Sequence, residues 1–557
     1  MKKRILIALS AATLVLTSCS KLGELSADNF NVTPNPLETD NGKVTATING
    51  MFPEKYMKKK ATVTVIPELR YANGQVARGA SATFQGEKVR GNNQEISYRL
   101  GGTYTMKTSF NYVPEMQRSE MYLTFDAKIG KKSVEVPAVK VANGVIATSE
   151  LYKRTLKNAQ ACIAPDAFQR VTVEKQEANI KFLIQQTELR KSELKNNSIK
   201  EFVSLLKRIN EDKETLNLNN IEISAYASPD GGYSLNNKIA NQRQLNAEKY
   251  VEKQLKEIEM DSHIEAKYTA QDWEGFQELV KASNIQDKEV ILRVLSMYKD
   301  PEEREKQIKN MSEGFQELAD GILPELRRAR LTINYEVIGR DDEQIQNLLK
   351  TDAKQLSVEE LLYAAILTED KKEQMDIYQT TTKIYPKDAR AYNNIATLEF
   401  ANGNYSAAKQ YAQKALSLNS NCKEANANLG LIALANGDLN TAEGLIAKAA
   451  DANGIAEVLG NLNLAKGNYA QAEYDMRKVK SNSAALAQIL NKNYNAAIQT
   501  LNNVPNANGT TEYLKAIVYA RQGNNSAAAT ALKNAIAKDP SLASYAANDL
   551  ELAKVSK

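Results

Sequence analysis

The sequence predicts a multidomain chain: an N-terminal β-sandwich, a central α/β sandwich and a C-terminal all-α solenoid. Three patterns lead to this reading. Period-two alternation runs over 41–150, mixed periods occupy 165–340, and a helical pattern repeats itself over 355–557. A chain of 557 residues has room for about three or four domains.

In the first region Val44, Ala46 and Ile48 alternate with polar residues. So do Tyr104, Met106, Thr108, Phe110 and Tyr112, and again Met121, Leu123, Phe125, Ala127 and Ile129. Alternation of this kind marks strands with one buried face. Asn-Gly pairs at 41–42, 49–50, 73–74 and 143–144 read as tight turns, which need positive φ. Short antiparallel strands over this length suggest a sandwich, of which the immunoglobulin-like arrangement is one form. Nothing here clusters as a catalytic site, which leaves a spacer or a protein-contact domain.

The central region reads as strand 180–184 and then a helix opened by a Ser198/Glu201 capping box, with Phe202, Leu205, Leu206 and Ile209 on its apolar face. Strand 221–227, helix 237–257 and strand 263–269 follow. Helical pattern then runs to Ile322, with Trp273 as an anchor for that insertion's core. Strand 330–338 closes the region with Leu331, Ile333, Tyr335 and Val337 alternating. One sheet covered by helices accounts for this order.

In the last region Gly403, Tyr405, Ala408 and Ala415 recur 34 residues later as Gly437, Leu439, Ala442 and Ala449. Tyr392, Ile395 and Ala396, then Leu429 and Gly430, hold matching positions in the preceding helices, and Pro386 ends the repeat before them. Irregular echoes follow at Gly467, Asn493 and Gly523, giving about five or six helix pairs with the later ones shortened. The spacing resembles the tetratricopeptide repeat, a 34-residue helix pair with small residues at its close crossings. That resemblance implies a concave face built from first helices, with Arg390, Asn393, Thr397 and Glu424 around it as protein-partner contacts. No Lys/Arg clamp for a peptide carboxylate is present, so the partner stays unnamed.

Composition narrows the function. Formal net charge is +5. Removing Lys2, Lys3 and Arg4 leaves about +2 (5 − 3), too little for nucleic acid. One histidine, His263, in the whole chain argues against triads and zinc sites that use His. No cofactor or metal is implied, and no turn or strand end gathers acids as an active site would, so an enzyme is not expected. Cys162 and Cys422 lie in different predicted domains and read as free buried thiols.

Residues 1–19 read as an export signal: a basic start, an apolar stretch over 5–16 too short to span a bilayer, then Leu16-Thr17-Ser18-Cys19. The last four resemble a bacterial lipobox; an ordinary signal peptide cleaved nearby is the other reading. The resemblance implies lipidation at Cys19 and outer-membrane attachment through lipid alone, with the periplasmic face preferred to the cell surface. Residues 20–40, polar with Pro34 and Pro36, read as a tether.

Tyr226-Ala227-Ser228-Pro229-Asp230-Gly231, then Asn236, Ile239 and Arg243 in spaced register, and Arg327-Arg328-Ala329-Arg330 before the closing strand resemble the C-terminal family of outer-membrane protein A. The resemblance covers about 160 residues. It implies binding of the peptidoglycan stem at diaminopimelate. Arg243 would fork onto the ligand carboxylate, with Asn236 and Arg330 at family positions. The family's aspartate, which takes the ligand ammonium, falls here on Ser228, and Asp230 stands two residues on. The expected function is a non-catalytic scaffold tethering envelope proteins to the cell wall. The alternative is a surface or fimbria-associated structural or assembly lipoprotein that does not bind peptidoglycan.

Overall fold

A computed structural model describes residues 22–285, 288–310 and 316–555. The predicted signal segment and Cys19 lie outside the described residues. The chain forms two compact units: one takes the described residues up to Asp166 together with those from Ala365 on, the other takes Ala167–Ala364.

In the first unit eleven strands build two sheets. They are β1 (Phe30–Thr33), β2 (Thr39–Asp40), β3 (Lys43–Phe52), β4 (Ala61–Tyr71), β5 (Gln75–Arg78), β6 (Ala82–Gly86), β7 (Gln94–Ile96), β8 (Gly102–Asn111), β9 (Ser119–Ile129), β10 (Lys132–Val134) and β11 (Val139–Gly144). Strand β3 pairs with β1, β2 and β8; the second sheet runs β10-β9-β4-β6-β7, with β11 on β9 and β5 on β4. The alternating apolar residues Val44, Ile48, Phe52, Val63, Val65, Met121 and Leu123 meet in one core, the expected result of period-two patterning.

Two sequence expectations fail here for local reasons. The 20–40 stretch is not a simple tether, because Leu22, Phe30, Val32 and Leu37 are buried in the sandwich core and carry β1 and β2 with them. Of the Asn-Gly pairs, 41–42 and 73–74 do turn the chain, with Gly42 and Gly74 at φ 70° and 76°. The pairs at 49–50 and 143–144 sit inside β3 and β11. Gly50 stands there because any side chain would strike the Tyr104 ring.

The same unit carries the helical array. First helices Ala389–Ala401, Lys423–Ala435, Ile455–Ala465, Asn482–Leu490 and Gly509–Arg521 alternate with second helices Tyr405–Leu418, Leu439–Ile446, Tyr469–Asp475, Tyr494–Asn502 and Asn525–Lys538. The turns at Gly403, Gly437, Gly467 and Gly523 have φ of 77–79°, where glycine avoids the Cβ penalty. The fourth pair places Lys492 at φ 65° instead, which accounts for its irregular spelling. Gly430 faces Ile446 and Gly460 faces Met476, with no space for a Cβ.

The second unit holds one sheet of β12 (Val171–Lys181), β13 (Leu216–Tyr226), β14 (Ile264–Thr269) and β15 (Arg328–Ile338), in the order β12-β15-β13-β14. Only β13 and β14 are parallel. Helices Asn197–Glu211 and Tyr233–Glu257 cover it with Phe202, Leu206, Ala247 and Val251 against Ile221, Ile223, Leu331 and Ile333. The first strand is longer than 180–184 because β15 pairs with it along its whole length. The first helix is capped by Asn196, whose side chain accepts from Ile199 N at 2.8 Å, not by Ser198. Trp273 opens helix Trp273–Ala282 and packs 5.6 Å from Phe276 in the insertion's own core.

This unit also extends past the predicted limits. Helices Asp342–Thr351 and Val358–Ala364 belong to it, so the boundary placed at 355 moves to 365. Arg340 pairs with Glu360 at 2.9 Å, Arg170 with Asp342, and Phe168 stacks on Tyr363 at 4.4 Å.

Candidate ligand pocket and an occupied repeat groove

The second unit has a cavity of about 60 Å³ lined by Ser228, Asp230, Asn236, Arg243, Gln185 and apolar Ile184, Leu235 and Ile239. Four residues chosen from sequence therefore meet in one place. Asn236 Nδ2 donates to Ser228 O at 2.9 Å and Gly231 O at 2.8 Å, folding the turn onto the helix start. The Ser228 hydroxyl donates to Asp230.

The charges at this cavity are already paired within the unit. Arg327 donates from Nη2 to Asp230 Oδ2 at 3.0 Å and from Nε to Ser228 Oγ at 3.2 Å. Arg243 is 1% exposed. Its Nε donates to Gln186 O at 2.9 Å, Nη1 to Tyr226 O at 2.8 Å and Nη2 to Leu183 O at 3.2 Å. Its guanidinium lies 4.8 Å from the Phe182 ring centre. Burial, and then nearby Arg327, push its pKa down to about 10, so it remains a cation at neutral pH. Arg243 thus clamps the 183–186 loop to the end of β13.

Arg330, the fifth predicted contact, is elsewhere. Two residues into β15, its Nε lies 3.9 Å from a Glu177 oxygen, and its guanidinium is 6.0 Å from the Tyr226 ring centre. The arginine that reaches the turn is Arg327, just before the strand. Its signal was present as the first of the clustered arginines, but only the strand's start decides which one faces the turn. Arg328 is buried against Asp272 at 3.0 Å, the cap of the Trp273–Ala282 helix.

The groove of the repeat array is filled by the chain itself. After helix Tyr152–Leu156, residues 159–166 run extended along the first helices. Asn428 accepts from Cys162 N at 2.6 Å and donates to Cys162 O at 2.8 Å. Asn394, 34 residues earlier, accepts from Ala164 N at 2.8 Å and donates to Ala164 O at 3.0 Å. Equivalent repeat positions thus hold alternate residues of an extended strap by their main chain. Asn393 Nδ2 and Thr397 Oγ1 add donations to Cys162 O at 2.9 and 3.0 Å.

The residues expected to meet an outside partner are therefore engaged internally. Asn393 and Thr397 hold the strap, Glu424 Oε1 accepts from Asn453 N at 3.1 Å, and Arg390 pairs with the helix cap Asp388 at 2.7 Å. Sequence reasoning missed Asn394 and Asn428, whose 34-residue spacing was the available signal. Cys162 and Cys422 are both free and buried. Burial, with Glu424 and Glu457 nearby, pushes the Cys162 thiol up to about 12. Among the described residues no group of His, Cys, Asp and Glu is placed to hold a metal, and no helix is long and apolar enough to cross a membrane.

Glu457 lies buried under the strap, and its carboxylate oxygens make no well-formed hydrogen bond. Burial raises its pKa to about 7, offset only in part by Ser481 and the Gln160 main chain. An acid raised in the fold favours its neutral form. Its contribution is present below the unfolded value near 4.5 and is lost as pH rises through about 7. Glu457→Gln should therefore stabilise the unit at pH 8 by about 2–3 kcal/mol relative to its effect at pH 4. Denaturant unfolding at both pH values checks this; parallel shifts at the two would contradict it.

Comparison with known proteins agrees on the repeat region. Residues 393–455 match the tetratricopeptide repeat family. A tetratricopeptide repeat protein from Parabacteroides merdae is 15% identical over 48% of this chain and 94% of its own, with TM-score 0.25. YrrB, described as a repeat protein with an unusual peptide-binding site, is 15% identical over 36% of this chain and 94% of its own, TM-score 0.21. Pseudomonas aeruginosa pilF is 15% identical over 36% and 95%, TM-score 0.26. No curated protein matches the chain. Residues 393–455 thus carry tetratricopeptide repeats, within a C-terminal region that is all-helical and tetratricopeptide-like.

Proposed function

We propose that this chain is a non-catalytic, lipid-anchored scaffold of the outer membrane, of the surface or assembly type, which does not hold peptidoglycan through the pocket beside Arg243. The single observation carrying this is the internal pairing of both charges that a diaminopimelate end would need: Arg243 on three carbonyl oxygens and Asp230 on Arg327. Admitting a ligand there means breaking charged hydrogen bonds of roughly 1.5–3 kcal/mol each. The sequence pattern at Cys19 supports the anchor, and the preceding apolar stretch supports export. With its groove occupied in cis, the array offers protein partners its outer faces.

A second reading, the wall tether, is favoured by the convergence of Ser228, Asp230, Asn236 and Arg243 on one cavity. Pull-down on purified sacculi separates the two. The expected result is retention no greater than that of an unrelated soluble protein, unchanged in Asp230→Ala. Strong retention that Asp230→Ala abolishes would restore the tether.

A further inference from the structure

Charge that is dilute along the sequence is gathered by the fold at one end of the sandwich. The 53–60 loop, the 87–91 loop and the β9–β10 turn meet there: Lys88 N donates to Lys59 O at 2.7 Å, and Gly130 N donates to Lys60 O at 2.9 Å. The loop before β8 joins them, with Lys55 N donating to Tyr98 O at 2.7 Å. Lys55, Lys60, Lys88, Arg90, Lys131 and Lys132 are all exposed at this end. Among the described residues none of the six is paired with a carboxylate. Acids near this end include Glu24, Glu54 and Glu87, and Glu87 is engaged by Lys59 at 3.9 Å and by Ser97. Leu100, 76% exposed, projects from the same loops.

The first described residues lie here as well. Leu22 is buried in the sandwich core, and a Cβ on Gly23 would stand 3.2 Å from the Tyr56 ring, between Lys55 and Met57. Leu22 stands three positions after Cys19, a reach of about 10 Å at most. That is comparable to the Debye length of roughly 8–10 Å at physiological salt. An acyl chain on Cys19 would hold the basic end within electrostatic range of the bilayer that receives it.

We propose that this basic end of the sandwich is a docking surface for an anionic membrane, its lysines and Arg90 meeting lipid phosphates and Leu100 entering the headgroup layer. The anchor distance rests on the lipidation reading above; the charge cluster does not. Basic side chains near an anionic leaflet each favour binding, and an apolar tip adds to it.

The test uses the chain from Ser20 onward, which keeps every described residue and carries no lipid. It should co-sediment with phosphatidylglycerol-containing vesicles and not with pure phosphatidylcholine vesicles, with binding lost at high salt. Lys60→Glu/Lys88→Glu/Lys131→Glu/Lys132→Glu should weaken binding by about 100-fold or more. Lys200→Glu/Lys207→Glu/Lys213→Glu/Lys249→Glu, the same charge change in the other unit, should weaken it far less. Cooperative unfolding of both variants confirms that each folds. Equal binding to both vesicle types, equal loss in both variants, or full competition by inorganic phosphate at matched concentration would each overturn the proposal. Intact mass of the membrane-extracted chain reports acylation separately, so an unmodified Cys19 would remove the anchor while leaving the vesicle result standing.

Discussion

Arg243→Met should cost the α/β unit about 3–5 kcal/mol of stability. The substitution keeps an unbranched apolar stem but removes the guanidinium, and with it the contact over the Phe182 ring and the donors to three main-chain carbonyls, those of Leu183, Gln186 and Tyr226. Charged hydrogen bonds of this kind are worth roughly 1.5–3 kcal/mol each, and each acceptor loses its charged donor in the variant, Leu183 O keeping the 3.1 Å bond from Gln186 N. Relief of burying a cation offsets part of the loss. The expected consequence is local as well as global. The 183–186 segment should lose amide-exchange protection, because Arg243 ties it to the end of β13. Denaturant unfolding and hydrogen exchange check both. Arg243→Lys should recover only a fraction, since an ammonium cannot fork across three acceptors. A loss below about 1 kcal/mol in Arg243→Met would show that this arginine is not the clamp described, and would reopen it to a ligand.

Asn428→Ala should release the strap. Asn428 holds both main-chain groups of Cys162 and also donates to Asn393 Oδ1 at 2.9 Å, so its loss breaks the centre of the asparagine ladder. The readout is Cys162 itself. In the native unit its thiol is buried and its pKa is high, so a thiol reagent should modify it only through opening of the groove. Loss of about 3 kcal/mol of holding interactions corresponds to roughly a hundredfold faster labelling in Asn428→Ala, by the tenfold-per-1.4 kcal/mol rule. The measurement belongs in a Cys422→Ser background of the chain from Ser20 onward, where Cys162 is the only thiol. Unchanged labelling would mean that helix Tyr152–Leu156 and the sandwich contacts hold the strap unaided. Those contacts are substantial: Tyr469 donates to Asp40 at 2.7 Å, Thr148 to Glu551 at 2.8 Å and Arg154 to Asp539 at 2.7 Å.

Particular residues mark the limit of what pattern can tell. Val44, Ala46 and Ile48 announced a half-buried strand because side chains alternate on a pleated backbone whatever lies around them. Gly403 and Gly437 announced a repeat because a left-handed turn and a close helix crossing each favour small residues locally. Asn49-Gly50 carried the same turn chemistry as Asn41-Gly42 and yet runs straight through β3, because the reason for Gly50 is the Tyr104 ring across the pair. Arg330 and Arg327 are equally basic on paper. Which of them reaches Asp230 depends on where β15 begins.

The sequence by itself therefore determined the three kinds of architecture and the repeat period, which follow from local periodicity, while a family resemblance pointed to four of the residues that converge on the α/β cavity. Tertiary structure alone decided whether those groups are available. It closed Arg243 and Asp230 in internal pairs, filled the repeat groove with residues 159–166, and drew scattered lysines onto one end of the sandwich. The physical reason is common to all three. Hydrogen-bond partners and local charge density depend on separations of a few ångströms between residues distant in sequence, and no one-dimensional pattern encodes those separations.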